Sequence, residues 1–305
     1  MILRLWLFRW FGSKAYKSFL ISMLAYWGII SLIVEIINGL FPGVVPILLS
    51  YRWYILILGF FYVFYKSWPR SSFVYQISDR DTSIELKIAD AFTVNGALVV
   101  PTNNLFDTEL LGDPAKAPSI EGQLIQQFFD GNSDYLKMEI DRQLSKDEYK
   151  DEIQSNDDGQ DIVYKTGTTI RIQKNEKIFY LIALTKLNEH RRAYGSEEYL
   201  KLSLARLWYW ISERGDKGVL IAPIFGTGHA RIKIKREEVI KSIVRSFIAS
   251  CSSKTYCDNL VIVLNPRDVI SHQIDVEAIA SFIEYSCKYA QFDLDIKENI
   301  GTGLS

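Results

Sequence analysis

The sequence has few of the residues from which metal sites and disulfide frameworks are built. Among its 305 residues there are three cysteines and three histidines. Cys251, Cys257 and Cys287 show no C-x-x-C spacing, and the histidines form no H-E-x-x-H motif. This pattern predicts buried, reduced thiols, and it offers no basis for a metal site or a cofactor.

An excess of either charge is also missing, since 35 lysines and arginines stand against 36 acidic residues, for a formal net charge of -1. Proteins that bind nucleic acid normally carry a strong basic excess. We therefore expect no nucleic-acid partner. The length favours more than one domain, because a domain takes about 150 residues on average.

Charged residues are nearly absent from residues 18–65, where only Glu35 and Arg52 occur. Two apolar runs, at about 18–40 and 44–65, flank the tripeptide FPG. Each is long enough to cross a bilayer, which takes about 20 residues, and the tripeptide is typical of a tight turn. The pattern predicts a transmembrane hairpin. A cleaved signal peptide is the alternative, but no small-x-small cleavage site follows the first run and a second run comes directly after it.

The distribution of basic residues predicts the orientation of this hairpin. Lysine and arginine occur before the first run and after the second, and the connecting turn has none; these residues are Arg4, Arg9, Lys14, Lys17, Lys66 and Arg70. By the positive-inside rule both termini are cytoplasmic. The predicted organisation is a cytoplasmic basic and aromatic segment at 1–17, a two-pass membrane hairpin at 18–66 and a cytoplasmic domain at 71–305.

Glu35 and Arg52 have two interpretations within the hairpin. A charge at the bilayer centre costs about 2.5–3.5 kcal/mol on insertion scales, and both residues lie at similar depth in the outer half. They can pair with each other, within the hairpin or with a neighbouring subunit, which would favour self-association. Alternatively, Arg52 extends its head group to the membrane interface and the hairpin is a plain anchor.

From residue 71 onward strand-like and helix-like segments alternate, which predicts an α/β fold with a mixed sheet covered on both faces. The predicted strands are 84–92, 97–100, 168–172, 178–184, 219–224 and 260–264, and the predicted helices are 119–129, 196–214, 236–251 and 275–290. An acidic, polar stretch at 141–161 interrupts the pattern. Its composition indicates a solvated insertion or a frayed helix.

Three loops follow predicted strands with unusual composition, at the carboxyl ends where open α/β sheets bind ligands. VVPTNN ends in Asn103 and Asn104, whose amides suit ribose hydroxyls. APSIEG places Ser119 at a helix start, where free backbone N–H groups suit an anion. IFGTGHA contains a glycine turn that lets the backbone approach a phosphate. Each motif also has a purely structural interpretation, as a turn, a helix cap or a tight connection.

The order of these motifs resembles that of the macro domain, the ADP-ribose-binding fold, over residues 84 to about 265. KIADAF supplies Asp90 where the family's acid recognises the adenine amino group, and VVPTNN supplies Asn104 where an asparagine faces the distal ribose. SIEGQLI supplies Ser119 and Gly122 at the helix beside the diphosphate. The resemblance implies a macro-like mixed sheet between helices and a ligand derived from ADP-ribose.

The glycine turn resembles the phosphate loop of the macro domain, and the chain departs from the family pattern at three places. Pro101 replaces the first asparagine of the family's strand motif, the triple glycine before the first helix is missing, and Arg231 stands where a glycine usually closes the phosphate loop. His229 and Arg231 are therefore candidates for recognising a modified ADP-ribose. The predicted ligand-binding residues are Asp90, Asn103, Asn104, Ser119, Gly122, Gly226, Thr227, Gly228, His229 and Arg231.

Two membrane spans ahead of a divergent macro domain resemble the transmembrane-macro effectors of Thoeris anti-phage defence. The resemblance implies an inner-membrane protein that senses an ADP-ribose-type signal, such as a histidine conjugate, made by a TIR-domain partner. It implies self-assembly and disruption of the lipid bilayer, without catalysis. Two alternatives remain open: a membrane-anchored ADP-ribosyl hydrolase, for which Asp107, Glu109 and Glu121 are candidate bases, and an anchor that carries an empty macro fold.

Overall fold

The structure is a computed structural model that describes residues 15–107, 119–145, 150–156, 159–187, 193–225, 234–252 and 254–290. For residues 15, 48, 49, 150–156 and 159–161 it describes the backbone alone. The chain divides into two compact units. One contains three apolar N-terminal helices and a short helix at 266–271, and the other contains the main sheet and its helices.

The N-terminal unit is built from helices with apolar surfaces. Its elements are α1 (Ala15–Leu40), α2 (Val45–Ser50) and α3 (Arg52–Lys66). The Phe19 ring of α1 makes edge-to-face contacts with Phe60 and Phe64 of α3, at 5.8 and 6.4 Å between centroids. A Cβ at Gly59 would collide with the ring of Tyr26, so the glycine allows the two helices to approach closely.

The first apolar run forms one long helix, whereas the second run forms two shorter helices, so the structure has one candidate span and the predicted two-span hairpin is not found in the described residues. By length and composition, one helix in the described part of the chain is apolar enough to cross a membrane, over Tyr16–Leu40. The second run is divided between α2, with 6 residues, and α3, with 15. Ser50 Oγ donates to the Pro46 carbonyl at 3.0 Å. This bond competes with the helical ladder and accompanies the break before α3.

Glu35 and Arg52 are both exposed on the helices of this unit. The guanidinium of Arg52 lies 5.8 Å from the ring centroid of Trp53. Among the described residues no ion pair joins Glu35 to Arg52. The pairing predicted within the hairpin is therefore not observed, and pairing between subunits stays a prediction.

The second unit is organised around a mixed sheet with five parallel strands at its centre. The strands in chain order are β1 (Ser72–Gln76), β2 (Ser83–Ile88), β3 (Ala97–Asn103), β4 (Lys150–Asn156), β5 (Gly159–Tyr164), β6 (Thr169–Lys174), β7 (Lys177–Leu187), β8 (Ala193–Tyr194), β9 (Val219–Pro223) and β10 (Asn259–Leu264). The strand order of the main sheet is β1-β2-β10-β9-β3-β7-β6, and β8 pairs with β7. The strands from β2 to β7 run parallel, and β1, β6 and β8 are antiparallel to their neighbours.

Helices cover both faces of this sheet. They are α4 (Ile120–Phe128), α5 (Asp134–Leu144), α6 (Glu197–Arg214), α7 (Arg236–Ser250) and α9 (Val276–Lys288), while α8 (Pro266–Ser271) belongs to the other unit. On one face the ring of Phe179 in β7 packs on Phe128 of α4 at 4.9 Å. On the other face the next residue, Tyr180, packs on Trp210 of α6 at 5.6 Å. This alternation buries both faces, as the apolar runs of the strands predict.

The structure confirms the predicted α/β class and corrects the interpretation of the acidic stretch at 141–161. Its first residues complete α5, in which Ile140 and Leu144 are buried. The stretch then forms strands β4 and β5, which pair as a separate two-stranded sheet. Antiparallel pairing of these two strands therefore provides hydrogen bonds that the polar composition did not predict. The three cysteines are free and buried, which confirms the predicted thiols.

A polar network stabilises the end of the sheet that lies opposite to the predicted ligand loops. Arg171 of β6 forms two hydrogen bonds with the carboxylate of Asp216, at 2.7 and 3.2 Å. The hydroxyl of Tyr180 donates to the same carboxylate at 2.9 Å and accepts the Asp216 N–H at 2.8 Å. The hydrogen bond from Arg171 lowers the pKa of Asp216, whereas burial raises the pKa of Tyr180 to about 12.

We predict that Tyr180→Phe lowers the free energy of unfolding by about 1–2 kcal/mol, because the Asp216 carboxylate and N–H both lose a partner. The folded-state pKa of Tyr180 is raised, so its contribution to stability is complete below pH 10 and is lost between pH 10 and about 12. The phenylalanine variant should lose less stability over that alkaline window. Urea unfolding at several pH values measures both effects. Tyr209→Phe, at an exposed tyrosine of α6, is the control and should change neither.

Candidate functional site

The parallel strands bring the predicted ligand loops to one edge of the sheet. Ile88 of β2 lies opposite Leu264 of β10, and Val263 lies opposite Pro223 of β9, so these strands end at nearly the same level. Strand β3 continues the parallel set beside β9. Two strands separate β2 from β3, which places their ends about 14 Å apart at the usual strand spacing. A ligand that contacts both ends must therefore be elongated.

Asp90 lies just beyond the carboxyl end of β2 and is exposed. Its Oδ1 accepts the N–H of Phe92 at 3.0 Å, so the carboxylate caps the 3₁₀ turn Ala91–Thr93. Lys177 fixes the segment that follows, because its ammonium donates to the carbonyl oxygens of Phe92 and Val94. A carboxylate has more acceptor sites than this cap uses. Asp90 can therefore cap the turn and still accept a hydrogen bond from a ligand.

The two asparagines at the end of β3 are buried, and both have structural partners. Asn103 Oδ1 accepts the N–H of Leu105 at 2.9 Å, which forms a local turn. Asn104 Oδ1 accepts the N–H of Leu187 at 3.2 Å, which ties β3 to the end of β7. Only 4% of the Asn104 surface is exposed. The side-chain oxygens of both asparagines therefore serve the fold at this edge of the sheet. Their side-chain N–H groups are the donors that remain for a ligand.

The start of α4 lies beside the end of β3. Ser119 Oγ accepts the N–H of Gly122 at 2.9 Å, which confirms the predicted helix cap. Glu121, in the first turn, accepts a hydrogen bond from the hydroxyl of Thr102 in β3. This bond fixes the helix N-terminus at the same sheet edge as Asn103, where the positive end of the helix dipole favours an anion.

The predicted phosphate loop lies outside the described residues. This applies to Gly226, Thr227, Gly228, His229 and Arg231. The described chain reaches Phe225, which is buried next to the end of β9, and continues from Ile234 before α7. The roles predicted for the loop residues therefore remain predictions.

A cavity of about 270 Å³ lies between α6 and α7 rather than among the predicted ligand residues. Its lining mixes both signs of charge with a few apolar groups: Glu197, Lys201, Leu204, Ile234, Glu238, Ser242, Arg245 and Ser246. Lys201 and Lys241 pair with Glu197 and Glu238 at 2.7 Å each. Each of these acids therefore has a cationic neighbour on its own helix, and the predicted ligand-binding residues do not line this cavity.

Two of the three candidate general bases lie in the described part of the chain, and each takes part in a structural hydrogen bond. Glu121 is bonded to Thr102, and Asp107 offers its backbone N–H to Asn103 Oδ1 at 3.4 Å. Glu109 lies outside the described residues. The contact between Thr102 and Glu121 was not predicted from the sequence. A threonine directly before the asparagine pair, together with an acid in the first turn of α4, is the signal that could have indicated it.

The mixed sheet, the loops gathered at its carboxyl edge and the helix N-terminus beside them define a macro-like α/β protein. Residues 84–265 match the family model described as Thoeris protein ThsA, Macro domain. This match covers more than half of the chain, and the chain belongs to that family. The comparison with curated proteins gives no match.

Solved structures of macrodomains are similar to this chain at low identity. A macrodomain of Oceanobacillus iheyensis with MES bound is 13% identical, with a TM-score of 0.46 over 70% of this chain and 98% of its own. The same macrodomain with ADP is 12% identical, with a TM-score of 0.38 over 69% and 97%. An alphavirus protein, P23pro-zbd, is 14% identical, with a TM-score of 0.39 over 70% of this chain and 26% of its own.

We predict that Asn104→Ala lowers the free energy of unfolding by about 1–3 kcal/mol, because the N–H of Leu187 loses its acceptor in a partly buried position. Asn132→Ala is a matched control. Its Oδ1 accepts the N–H of Asp134 at 2.8 Å in an exposed turn, so water can replace the bond and the change should stay within about 0.5 kcal/mol. Urea unfolding measures both. Equal losses in the two variants would contradict the structural role of Asn104.

Proposed function

We propose that this protein is a membrane receptor that binds an ADP-ribose-derived signal at the carboxyl edge of its sheet and does not hydrolyse it. The observation that carries the proposal is the family match over residues 84–265, together with Asp90, Asn104 and Ser119 at one sheet edge. In this proposal the signal is a conjugate such as histidine-linked ADP-ribose, made by a TIR-domain partner during phage infection.

The edge offers separate contacts for the parts of such a ligand. Asp90 accepts the adenine amino group at one end, about 14 Å from the end of β3 by strand spacing. The N-terminus of α4, fixed by Ser119 and Glu121, faces the diphosphate. In this proposal the phosphates are also assigned to the glycine loop after β9, which lies outside the described residues, and the distal ribose is assigned to Asn104. His229 and Arg231 of that loop remain candidates for recognising a modified ADP-ribose.

The hydrogen bonding of a nearby acid favours binding without turnover. A general base must reach the proton that it removes, and Glu121 is engaged by Thr102 beneath the start of α4. The alternative function is hydrolysis of an ADP-ribosyl bond, with Asp107 or Glu109 as the base. Release of free ADP-ribose from the conjugate separates these two functions.

In this proposal the ligand acts on the membrane segment by shifting the equilibrium between two states of the protein. A ligand alters the membrane part only if it binds two states of the protein with different affinity. We propose that the bound state self-associates in the inner membrane and disrupts the bilayer. Exposed Glu35 is suited to this role, because a polar side chain in lipid gains from finding a partner.

Calorimetric titration of the full chain in lipid nanodiscs tests the binding proposal. ADP-ribose and its histidine conjugate should both bind, the conjugate more tightly, and chromatography of the mixture should recover the conjugate intact. Ser119→Ala should weaken the binding of ADP-ribose and remove about 1 kcal/mol of stability. Ser196→Ala, which removes the matching cap of α6, should cost similar stability without weakening that binding. Absence of binding contradicts the proposal, and recovery of free ADP-ribose shows the hydrolase instead.

For the membrane part, we predict that Glu35→Ala or Arg52→Ala abolishes toxicity that depends on the signal, because the charged groups no longer find partners between subunits. Affinity for the conjugate should not change, since both residues belong to the N-terminal unit. Growth of cells that produce the signal measures toxicity, and calorimetry measures affinity. Unchanged toxicity in both variants would show that the two charges have no role in assembly.

A further inference from the structure

Three side chains form a cluster at the carboxyl end of β7 that the proposed function has not used. They are Lys186 of β7, Tyr194 of β8 and Tyr199 of α6, and we call them the β7–β8 corner. Lys186 and Tyr194 are register partners in the antiparallel pair, so their side chains lie on the same face. The short strand β8 thus holds an aromatic ring beside the lysine.

The three groups contact one another in an arrangement that leaves one ring open. The ammonium of Lys186 lies 5.3 Å from the centroid of the Tyr199 ring. The rings of Tyr194 and Tyr199 are 6.4 Å apart and tilted by 54°. The N–H of Tyr199 is bonded to Ser196 Oγ in the cap of α6, which fixes the inner ring. The outer ring, that of Tyr194, is 44% exposed and available to another molecule.

The corner is attached to the part of the site that carries Asn104. Asn103 and Thr185 are register partners in the parallel pair of β3 and β7, and Lys186 is the next residue of β7. The side chain of Asn104 then accepts the N–H of Leu187, directly after Lys186. Counting along the sheet from Asp90, the order is β2, β10, β9, β3 and β7. The corner therefore lies beyond Asn104, on the side away from Asp90.

We propose that the β7–β8 corner binds the substituent carried by the distal ribose, and that it selects a planar group that bears a carboxylate. This inference rests on the proposed function, which puts adenine at Asp90 and the distal ribose at Asn104. A group attached to that ribose continues along the edge and meets the corner next. Tyr194 stacks on the planar group, and Lys186 pairs with the carboxylate.

The chemistry of the corner matches an amino-acid conjugate with an aromatic side chain. Offset stacking between rings contributes about 0.5–1.5 kcal/mol beyond the area buried. A hydrogen bond from an ammonium to a carboxylate is stronger than one between neutral groups. Glu197, in the first turn of α6, pairs with Lys201 at 2.7 Å, which limits its repulsion of an incoming carboxylate. An imidazole with a free carboxylate satisfies both contacts, and unmodified ADP-ribose satisfies neither.

The test compares three ligands on the full chain in nanodiscs: ADP-ribose, its histidine conjugate and the matching histidinamide conjugate. Tyr194→Leu keeps an apolar side chain without the aromatic ring, and it should lower affinity for both conjugates by about threefold to tenfold. Lys186→Met keeps the stem without the charge, and it should lower affinity for the histidine conjugate by about tenfold or more. It should leave the affinity for the histidinamide conjugate, which lacks the carboxylate, unchanged.

Controls separate contact with the ligand from loss of the fold. Tyr194→Phe keeps the ring and should bind all three ligands like the unmodified protein. Tyr209→Leu, at an exposed tyrosine of α6, should also bind normally. Each variant should keep its affinity for ADP-ribose, which shows that the rest of the site is intact.

The outcomes distinguish this inference from the proposed function. If the unmodified protein binds ADP-ribose and the conjugate, but the ratio of their affinities is the same in Tyr194→Leu and Lys186→Met, the corner does not bind the substituent and the inference is wrong. If the unmodified protein binds none of the three ligands, the proposed function fails and this inference fails with it. Loss of conjugate affinity alone, restored in Tyr194→Phe, supports the assignment.

Discussion

The rest of the structure depends on the parallel pairing of β2, β10, β9, β3 and β7. In a parallel set every strand presents its carboxyl end at the same edge, so residues far apart in sequence share one surface without contacting one another. The pairing of Leu264 with Ile88, and of Val263 with Pro223, keeps three of these ends level. A shift of one residue in this register would turn every side chain of the shifted strand to the opposite face. The geometry of the site is therefore a consequence of the core.

The residues at that edge carry structural bonds and remain available to a ligand. Asp90 caps a short turn, Ser119 caps α4, and Asn104 closes the junction between β3 and β7. Each of these bonds uses one oxygen and leaves other donors or acceptors of the same group free. The consequence is preorganisation, because side chains already held by the backbone lose little further freedom when a ligand binds. Because the same residues stabilise the fold, substitutions at Asp90, Ser119 or Asn104 require a stability measurement beside each binding measurement.

Much of this arrangement could be predicted from the sequence, and the failures have physical causes. The apolar runs of the central strands and the Ser119 cap are local signals, and the structure confirms them. The strand predicted to extend to Phe92 ends at Ile88, because Asp90 bonds its own chain two residues on and starts a turn. Such a bond competes with the ladder of the sheet.

Contacts between segments that are distant in the chain could not be predicted from the sequence. The pairing of β4 with β5, the bond from Thr102 to Glu121 and the corner of Lys186 and Tyr194 all depend on which strands become neighbours. Hydrophobic periodicity reports which face of a strand is buried, and it does not report the partner. The same limit applies to the second membrane run. Its length and composition predicted one span, and the bond from Ser50 to Pro46 accompanies its division into two helices.

Hydrogen exchange of the full chain in nanodiscs, with and without the histidine conjugate of ADP-ribose, tests the central claim most directly. We expect slower exchange of backbone amides at the carboxyl edge, around Asp90 and in the first turn of α4 after Ser119. We expect no change around Arg171 and Asp216 at the opposite edge of the sheet. Protection confined to that opposite edge or to the cavity between α6 and α7, or no protection at saturating ligand, would contradict it.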